Sequence, residues 1–412
     1  MPFADLCALT TRLCASIRAT RYEALPPNHR SPGQPHRDRR FGFAGGARTP
    51  RPLANPLLSS TPTGSWVGRR PALLAGMLAG QVLCLGAYAD APSAPLEIGK
   101  LHQLSKAFLP GDRFMAATHR GALELANTKL DGFGAEGLSA LAWDADEGIL
   151  YAISDLSALL HLQPEWDGNN LRAVTLLATH ALRNASGEAL DGEWDDAEGL
   201  VLEHANDGVS GNSVLLVSFE GETRVDAYRP DGSYLDRRTL PTELNDKERF
   251  PGGNQGLEAL TTLSDAGLVS GPQRPFTDSD RSFLHLYASA GQHWWFKPLD
   301  PDHSSLVALE TLPDGRLLLL ERRYISFFQA VLFAVRVVDP REAPAGGELA
   351  VTDLAIFDSS KGWRIDNFEG IAHHTSNRVF IVSDDNSNPI QKTLLLYLEL
   401  DLGLDEPAAG KD

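Results

Sequence analysis

Asp366-Asn367-Phe368-Glu369-Gly370-Ile371, continued by Ile381-Val382-Ser383-Asp384-Asp385-Asn386, is the stretch that decides the fold. A carboxylate precedes a short apolar strand, a turn and a second apolar strand, and a pair of acids follows. Ala135-Glu136-Gly137-Leu138, Ala197-Glu198-Gly199-Leu200 and Leu257-Glu258-Ala259-Leu260 repeat its start. Successive glutamates stand 62, 60 and 111 residues apart. Recurrence at such an interval marks a repeat architecture, and the long gap implies a unit that lacks its glutamate.

Between these starts the chain reads as all-β from Leu96 onward. The unit after Glu198 holds Gly199–Glu203, Asn212–Phe219, Thr223–Tyr228 and Tyr234–Leu240, separated by Asn-Asp-Gly and Asp-Gly turns. The unit before it repeats the scheme with Leu138–Trp143, Ile149–Ser154, Ala158–Leu162 and Leu171–Ala178. Four antiparallel strands in roughly 60 residues make one propeller blade. The third unit starts at Glu258 and runs through Phe283–Ser289 and Trp294-Trp295-Phe296, with Ser270–Arg281 expected as an exposed loop. Ser305–Leu309 and Arg316–Glu321 fill the long gap, with Ser304 in the place of glutamate. The fifth unit ends with Thr393–Leu400 and lacks an outer strand. Leu96–Leu104 is expected to supply it, closing the ring and removing both open edges. The expectation is a five-bladed β-propeller, with six blades if residues 104–130 hide another.

Charge divides the chain. Residues 1–89 hold 11 Lys+Arg and 3 Asp+Glu, against 26 and 51 in the remainder. An acidic fold excludes nucleic acid, which needs a basic face. It suits a cation-binding protein or a merely soluble one. Residues 1–66 are rich in Pro, Arg, Gly and Ser and read as disordered, or as lying upstream of a true start near Val67. Arg69-Arg70, the apolar run Ala72–Tyr88 and the Ala87-Tyr88-Ala89 exit read as a signal peptide over 67–89, so the product is expected in the periplasm or secreted. No stable membrane insertion is expected after its removal. Cys7, Cys14 and Cys84 all precede Asp90, so residues 90–412 offer no disulfide, no zinc–thiolate site and no cysteine nucleophile.

In a propeller the first strand of each blade lines the central channel. Glu136, Glu198, Glu258 and Glu369 then face one another at one mouth. Asp155, Glu220, Glu321 and the pair Asp384-Asp385 follow second strands and form a second set. Crowded carboxylates repel unless a cation intervenes, and hard oxygen donors without cysteine point to calcium or magnesium, calcium first. A glutamate at a strand start can equally bind backbone N–H groups of the next blade and act as glue. No G-x-S-x-G turn occurs in residues 90–412, and no serine is paired with His293, His373 or His374, which disfavours a serine hydrolase. Arg322 and Arg323 are the candidates to neutralise a phosphate, with Lys247-Glu248-Arg249 second.

Gly137-Leu138-Ser139-Ala140-Leu141 with Tyr151–Asp155, Asn254–Leu260, Leu312–Arg316 with Leu320–Arg322, and Asn367–Ile371 resemble the esterase-like phytase family of exported bacterial propellers. The resemblance spans roughly residues 96–401, a single phytase-like domain within 90–412. It implies calcium-dependent hydrolysis of a small phosphoester or carboxylic ester by a monomer. The run of consecutive acids by which propeller phytases bind calcium is present only as the fragments Asp195-Asp196 and Asp384-Asp385-Asn386. The competing reading is a non-catalytic, calcium-stabilised propeller of the cell envelope that binds a ligand or protein, with Trp294-Trp295-Phe296 as part of such a site; a purely structural envelope protein is a third.

Overall fold

The computed structural model describes residues 94–252, 256–325 and 329–403. The expected upstream segment and export signal lie outside the described residues. Among those described, every regular element is a strand or a single 3₁₀ turn. The strands form five sheets, and the first strands of successive sheets touch in a closed ring. The fold is therefore a five-bladed β-propeller.

From the channel outward, blade one is Leu138–Asp144, Ile149–Ser154, Ala158–Asp167 and Asn170–Ala181. Blade two is Ala197–Glu203, Val214–Phe219, Arg224–Tyr228 and Tyr234–Arg238. Blade three is Ala259–Leu263, Gly267–Gly271, Leu284–Ala288 and His293–Phe296, with Gly347–Glu348 added in parallel at its edge. Blade four is Ser304–Thr311, Leu317–Arg323, Leu332–Val338 and Thr352–Asp358. Blade five is Asn367–Thr375, Arg378–Asp384 and Leu394–Leu400, completed by Ala117–Leu125.

That last strand corrects the expected closure. Ala117–Leu125 is nine residues long and almost wholly covered, and it pairs antiparallel with Leu394–Leu400. The expected segment Leu96–Leu104 is broken instead. Gly99–Leu101 lies outside Ala117–Leu125, while Leu96–Glu97 pairs with the outer strand of blade one. A short, half-exposed piece cannot cover a blade, but it can stitch two together. Residues 104–130 thus contain the closing strand and no sixth blade. The expected exposed loop Ser270–Arg281 is also corrected. Ser270 and Gly271 belong to a strand, and Phe276 is fully buried between blades two and three.

Each junction between blades carries its own apolar cluster, five in all. Adjacent residues of one strand serve different junctions. Leu317 and Leu319 pack toward blade three, whereas Leu318 and Leu320 pack toward blade five. A sheet buried on both faces reads as an unbroken apolar run, which is why this strand is four leucines in a row. Each such burial contributes about 2 kcal/mol. At the channel the inner strands come too close for most side chains. A Cβ on Gly370 would lie 2.9 Å from the Cα of Ala140, and one on Gly199 would lie 2.8 Å from the Cβ of Leu260.

Candidate metal centre

The pairing register shows how the channel mouth is built. In four inner strands the ladder skips one residue, which is Ser139, Glu198, Val307 or Glu369. A β-bulge leaves its extra residue unpaired and re-aims the side chain. Glu258 takes the same place in blade three, one residue before Ala259–Leu263; the hydroxyl of Ser218 donates to the carbonyl of Leu257 at 2.7 Å and holds it against blade two. The five starts therefore align as Leu-Ser-Ala-Leu (138–141), Ala-Glu-Gly-Leu (197–200), Leu-Glu-Ala-Leu (257–260), Leu-Val-Ala-Leu (306–309) and Phe-Glu-Gly-Ile (368–371).

A second ring stands behind the first. The N–H of Asp155 donates to Gly137 O at 2.9 Å, that of Glu220 to Asp196 O at 3.1 Å, and that of Gln273 to Gly256 O at 3.1 Å. The register puts Arg322 opposite Ser305 and Asp384 opposite Asn367 in the equivalent places. Asp155, Glu220, Gln273, Arg322 and Asp384 all line one cleft of about 650 Å³, together with Glu198, Glu258, Glu369, Ser139, Asp196 and Asn367. Asp196 adopts a left-handed conformation at φ 69°, and its blade-one counterpart is Gly137 at φ 60°. A Cβ on Gly137 would collide with the carboxylate of Asp155 at 2.2 Å, so glycine lets that carboxylate lie over the backbone.

Register thus reassigns several residues. Ser139, not Glu136, is the blade-one member of the inner ring. Glu136 stands outside the cleft, pairs with Lys129 at 2.9 Å and accepts from Asn127. Lys129, then Asn127, holds its carboxyl below the usual range. Val307, not Ser304, fills the position without glutamate. Arg322, not Glu321, takes the outer-ring place on the second strand of blade four. Glu321 is fully buried and accepts from Leu299 N at 2.7 Å and from Arg336 Nη1 at 2.6 Å, as structural glue. Asp385 turns away and accepts from Gly137 N at 3.1 Å, tying blade five to blade one. Arg323 does not line the cleft. Neither do Lys247, which pairs with Glu222, or Arg249, which pairs with Asp278. His293 contacts His285, His373 Nε2 donates to the carbonyl of Ser376, and His374 meets the Tyr397 hydroxyl, all away from this mouth. Trp294 and Phe296 are core residues.

Among the described residues, eight carboxylates, those of Asp155, Asp196, Glu198, Glu220, Glu258, Asp366, Glu369 and Asp384, share the cleft with one cation, Arg322. Arg322 pairs with Glu369 and also donates to Asn367. Burial opposes its charge, yet Glu369 and Glu258 hold it above its usual range. One guanidinium is too little for eight acids. Burial first, then neighbouring acids, pushes Asp155 up to about 6 and Asp384 to about 8. Burial also lifts Glu220 to about 7, against a bond from Gly256 N at 2.5 Å. Glu198 and Glu258 are raised well above the usual range by burial and then by the ring itself; Asp196 is raised by burial and Asp195. Asp155 Oδ1 is buried without a hydrogen-bond partner. Asp196, Glu198 and Glu220 bring one oxygen each within 4.8 Å of one another, a spacing that could hold a metal ion. An all-oxygen donor set with unmet charge and an orphaned oxygen fits a hard divalent cation.

The sequence reading missed Ser139, Asp196, Gln273 and Asn367 as members of the mouth. The signal that finds them is the apolar–X–small–apolar start, aligned on its small residue rather than on glutamate.

A comparison with curated proteins gives no match. Among solved structures, a crystal structure of Saccharomyces cerevisiae Sqt1 is similar at 10% identity and a TM-score of 0.30, over 73% of this chain and 98% of that one. A family model described as phytase-like, "esterase-like activity of phytase", matches residues 134–387. That span runs from just before the first inner strand to just past Asp384, so it contains both rings, and the chain belongs to the phytase-like family.

Proposed function

We propose that this protein is an exported, calcium-dependent hydrolase of phosphoester or carboxylic ester bonds, working at the acidic channel mouth. The observation that carries the reading is the ring of eight carboxylates from four blades around one arginine. Asp196, Glu198 and Glu220 would hold the cation, with Asp155 and Asp384 beside them. When bound, a divalent cation supplies a Lewis acid for the ester oxygen and lowers the pKa of a bound water. Arg322 is the one cation of the cleft among the described residues, so its guanidinium can donate to an ester or phosphate oxygen. Glu369 and Asn367 orient it. Glu258 is held by Gln273 on the other side of the mouth.

A second reading is a non-catalytic propeller that calcium stabilises. It is favoured by the origin of the acids on four separate blades, which one cation would tie together, and by the absence, among the described residues, of any histidine from the lining. One experiment separates the two. The purified protein is melted with calcium and with a chelator, and assayed on 4-nitrophenyl phosphate and 4-nitrophenyl acetate. A calcium-dependent melting shift with chelator-sensitive turnover supports the hydrolase. A shift without turnover supports the binding propeller. No shift with calcium, magnesium or manganese overturns both.

A further inference from the structure

The acids of the mouth share their cleft with the apolar side chains of Tyr324, Val331 and Ile390, and further exposed apolar residues stand on the segments next to them. Large exposed apolar residues are uncommon enough on this chain to be followed one by one. Leu156 comes directly after Asp155 and is 51% exposed; Trp194 comes two residues before Asp196 and is 47% exposed. Tyr324 and Ile325 come directly after Arg322-Arg323, and Ile390, at 71% exposure, sits on the loop that follows Asp384. Half of the exposed large apolar residues recorded thus stand on segments that enter or leave the two rings. Single apolar residues on a surface need no cause, but a group around one cleft marks a binding surface.

Three features say what the group meets. Tyr324, Ile390 and Val331 line the same cleft as the carboxylates, so the apolar and acidic parts form one continuous cavity. Its volume of about 650 Å³ suits a small ligand. Trp194 is also held in place. Arg224 lies 5.1 Å and Arg237 5.9 Å from its ring centroid, and Arg224 Nη2 donates to its carbonyl oxygen at 2.5 Å. An indole anchored on two guanidiniums and still half open is a rigid apolar surface on the segment that leads into Asp196. The strong negative charge of the fold opposes an anionic membrane as the partner. A densely anionic ligand is opposed too, because the single arginine of the cleft is already paired with Glu369.

We infer that the ligand of this mouth is amphiphilic: one ester or phosphate group over the acids, and an aryl or alkyl group against Tyr324, Ile390 and the neighbouring apolar rim. This rests on the proposed function and names the substrate class of the same site. Specificity then comes from the rim, since burying a phenyl-sized group adds at least about tenfold in affinity.

The test is calorimetric titration of the full protein in saturating calcium with phenylphosphonate and methylphosphonate, which carry the same head group and are not turned over. The wild-type protein should bind the phenyl compound at least about tenfold tighter. Ile390→Ser and Tyr324→Ser, checked for an unchanged melting point, should shrink that ratio and leave methylphosphonate binding as it was. Equal affinity for the two compounds, or a ratio that neither variant moves, overturns the amphiphilic ligand and leaves the proposed anion site standing. Binding of neither compound overturns both. Tight binding to zwitterionic phosphatidylcholine vesicles that Ile390→Ser abolishes, with equal phosphonate affinities, would make the rim a membrane contact and overturn the inference.

Discussion

Replacing Glu220 by glutamine should stabilise the metal-free protein at alkaline pH. The side chain is buried, its Oε1 accepts the Gly256 N–H at 2.5 Å, and its carboxyl is raised from 4.5 to about 7. Below the unfolded value near 4.5 the group is protonated in both states and costs nothing. As pH rises from there through 7, the unfolded chain releases its proton before the folded one, so the folded state loses stability. Above 7 the loss is complete, at about 3 kcal/mol for a shift of this size. Glutamine carries no charge and can still accept from Gly256. In chelator at pH 8, Glu220→Gln should therefore melt higher than wild type by roughly 5 °C or more; near pH 4.5 the two should coincide. Saturating calcium should reverse the order at pH 8, because the variant has lost a ligand. The assay is a melting curve at each pH, with chelator and with calcium. An equal loss of stability at both pH values would refute the argument, since it would make Glu220 a structural acceptor and not a stored charge.

Four further outcomes follow from the same geometry. Calcium at 100 times its dissociation constant should stabilise the wild-type protein by about 2.7 kcal/mol, measured as a melting shift that chelator removes. Arg322→Met should destabilise the metal-free protein at pH 8 by about 3–5 kcal/mol, because it strands Glu369 beside Glu258; calcium should recover much of that loss, and denaturant titration with and without calcium reads both. Glu136→Gln should leave the calcium-induced melting shift unchanged, since its side chain serves Lys129 and Asn127 outside the cleft. Gly370→Ala should cost about 1–3 kcal/mol by urea unfolding, as its methyl group would press on the backbone of Ala140.

The blades were legible in the sequence because short apolar runs recur between turns that carry Asp-Gly and Asn-Asp-Gly signals. Val214–Phe219 and Tyr234–Arg238 fall within the expected segments for that reason. The closing strand was not legible, because Ala117–Leu125 mixes Thr118, His119 and Arg120 into a buried strand, and its partner is about 280 residues away in sequence. The site was half legible. Glu198, Glu258 and Glu369 were found because glutamate repeats. Glu136 misled, since Glu-Gly-Leu recurs there three residues ahead of the bulge that defines the ring. Pairing register is a property of two strands, and a single strand cannot declare it. Arg322 and Glu321 show the same limit, as neighbours on one strand whose side chains take opposite faces.

The skipped residue in the inner strands has a consequence for how such a protein changes over time. A residue outside the ladder makes no demand on strand pairing; Ser139, Glu198 and Glu369 face the cleft, and of the four only Val307 belongs to an inter-blade core. Ser139, Glu198, Val307 and Glu369 occupy equivalent slots with four different relations to a cation, in blades of the same build. The scaffold therefore keeps five interchangeable sockets at one mouth. Chemistry can be rewritten there one blade at a time, while the ring that holds the blades together stays as it is.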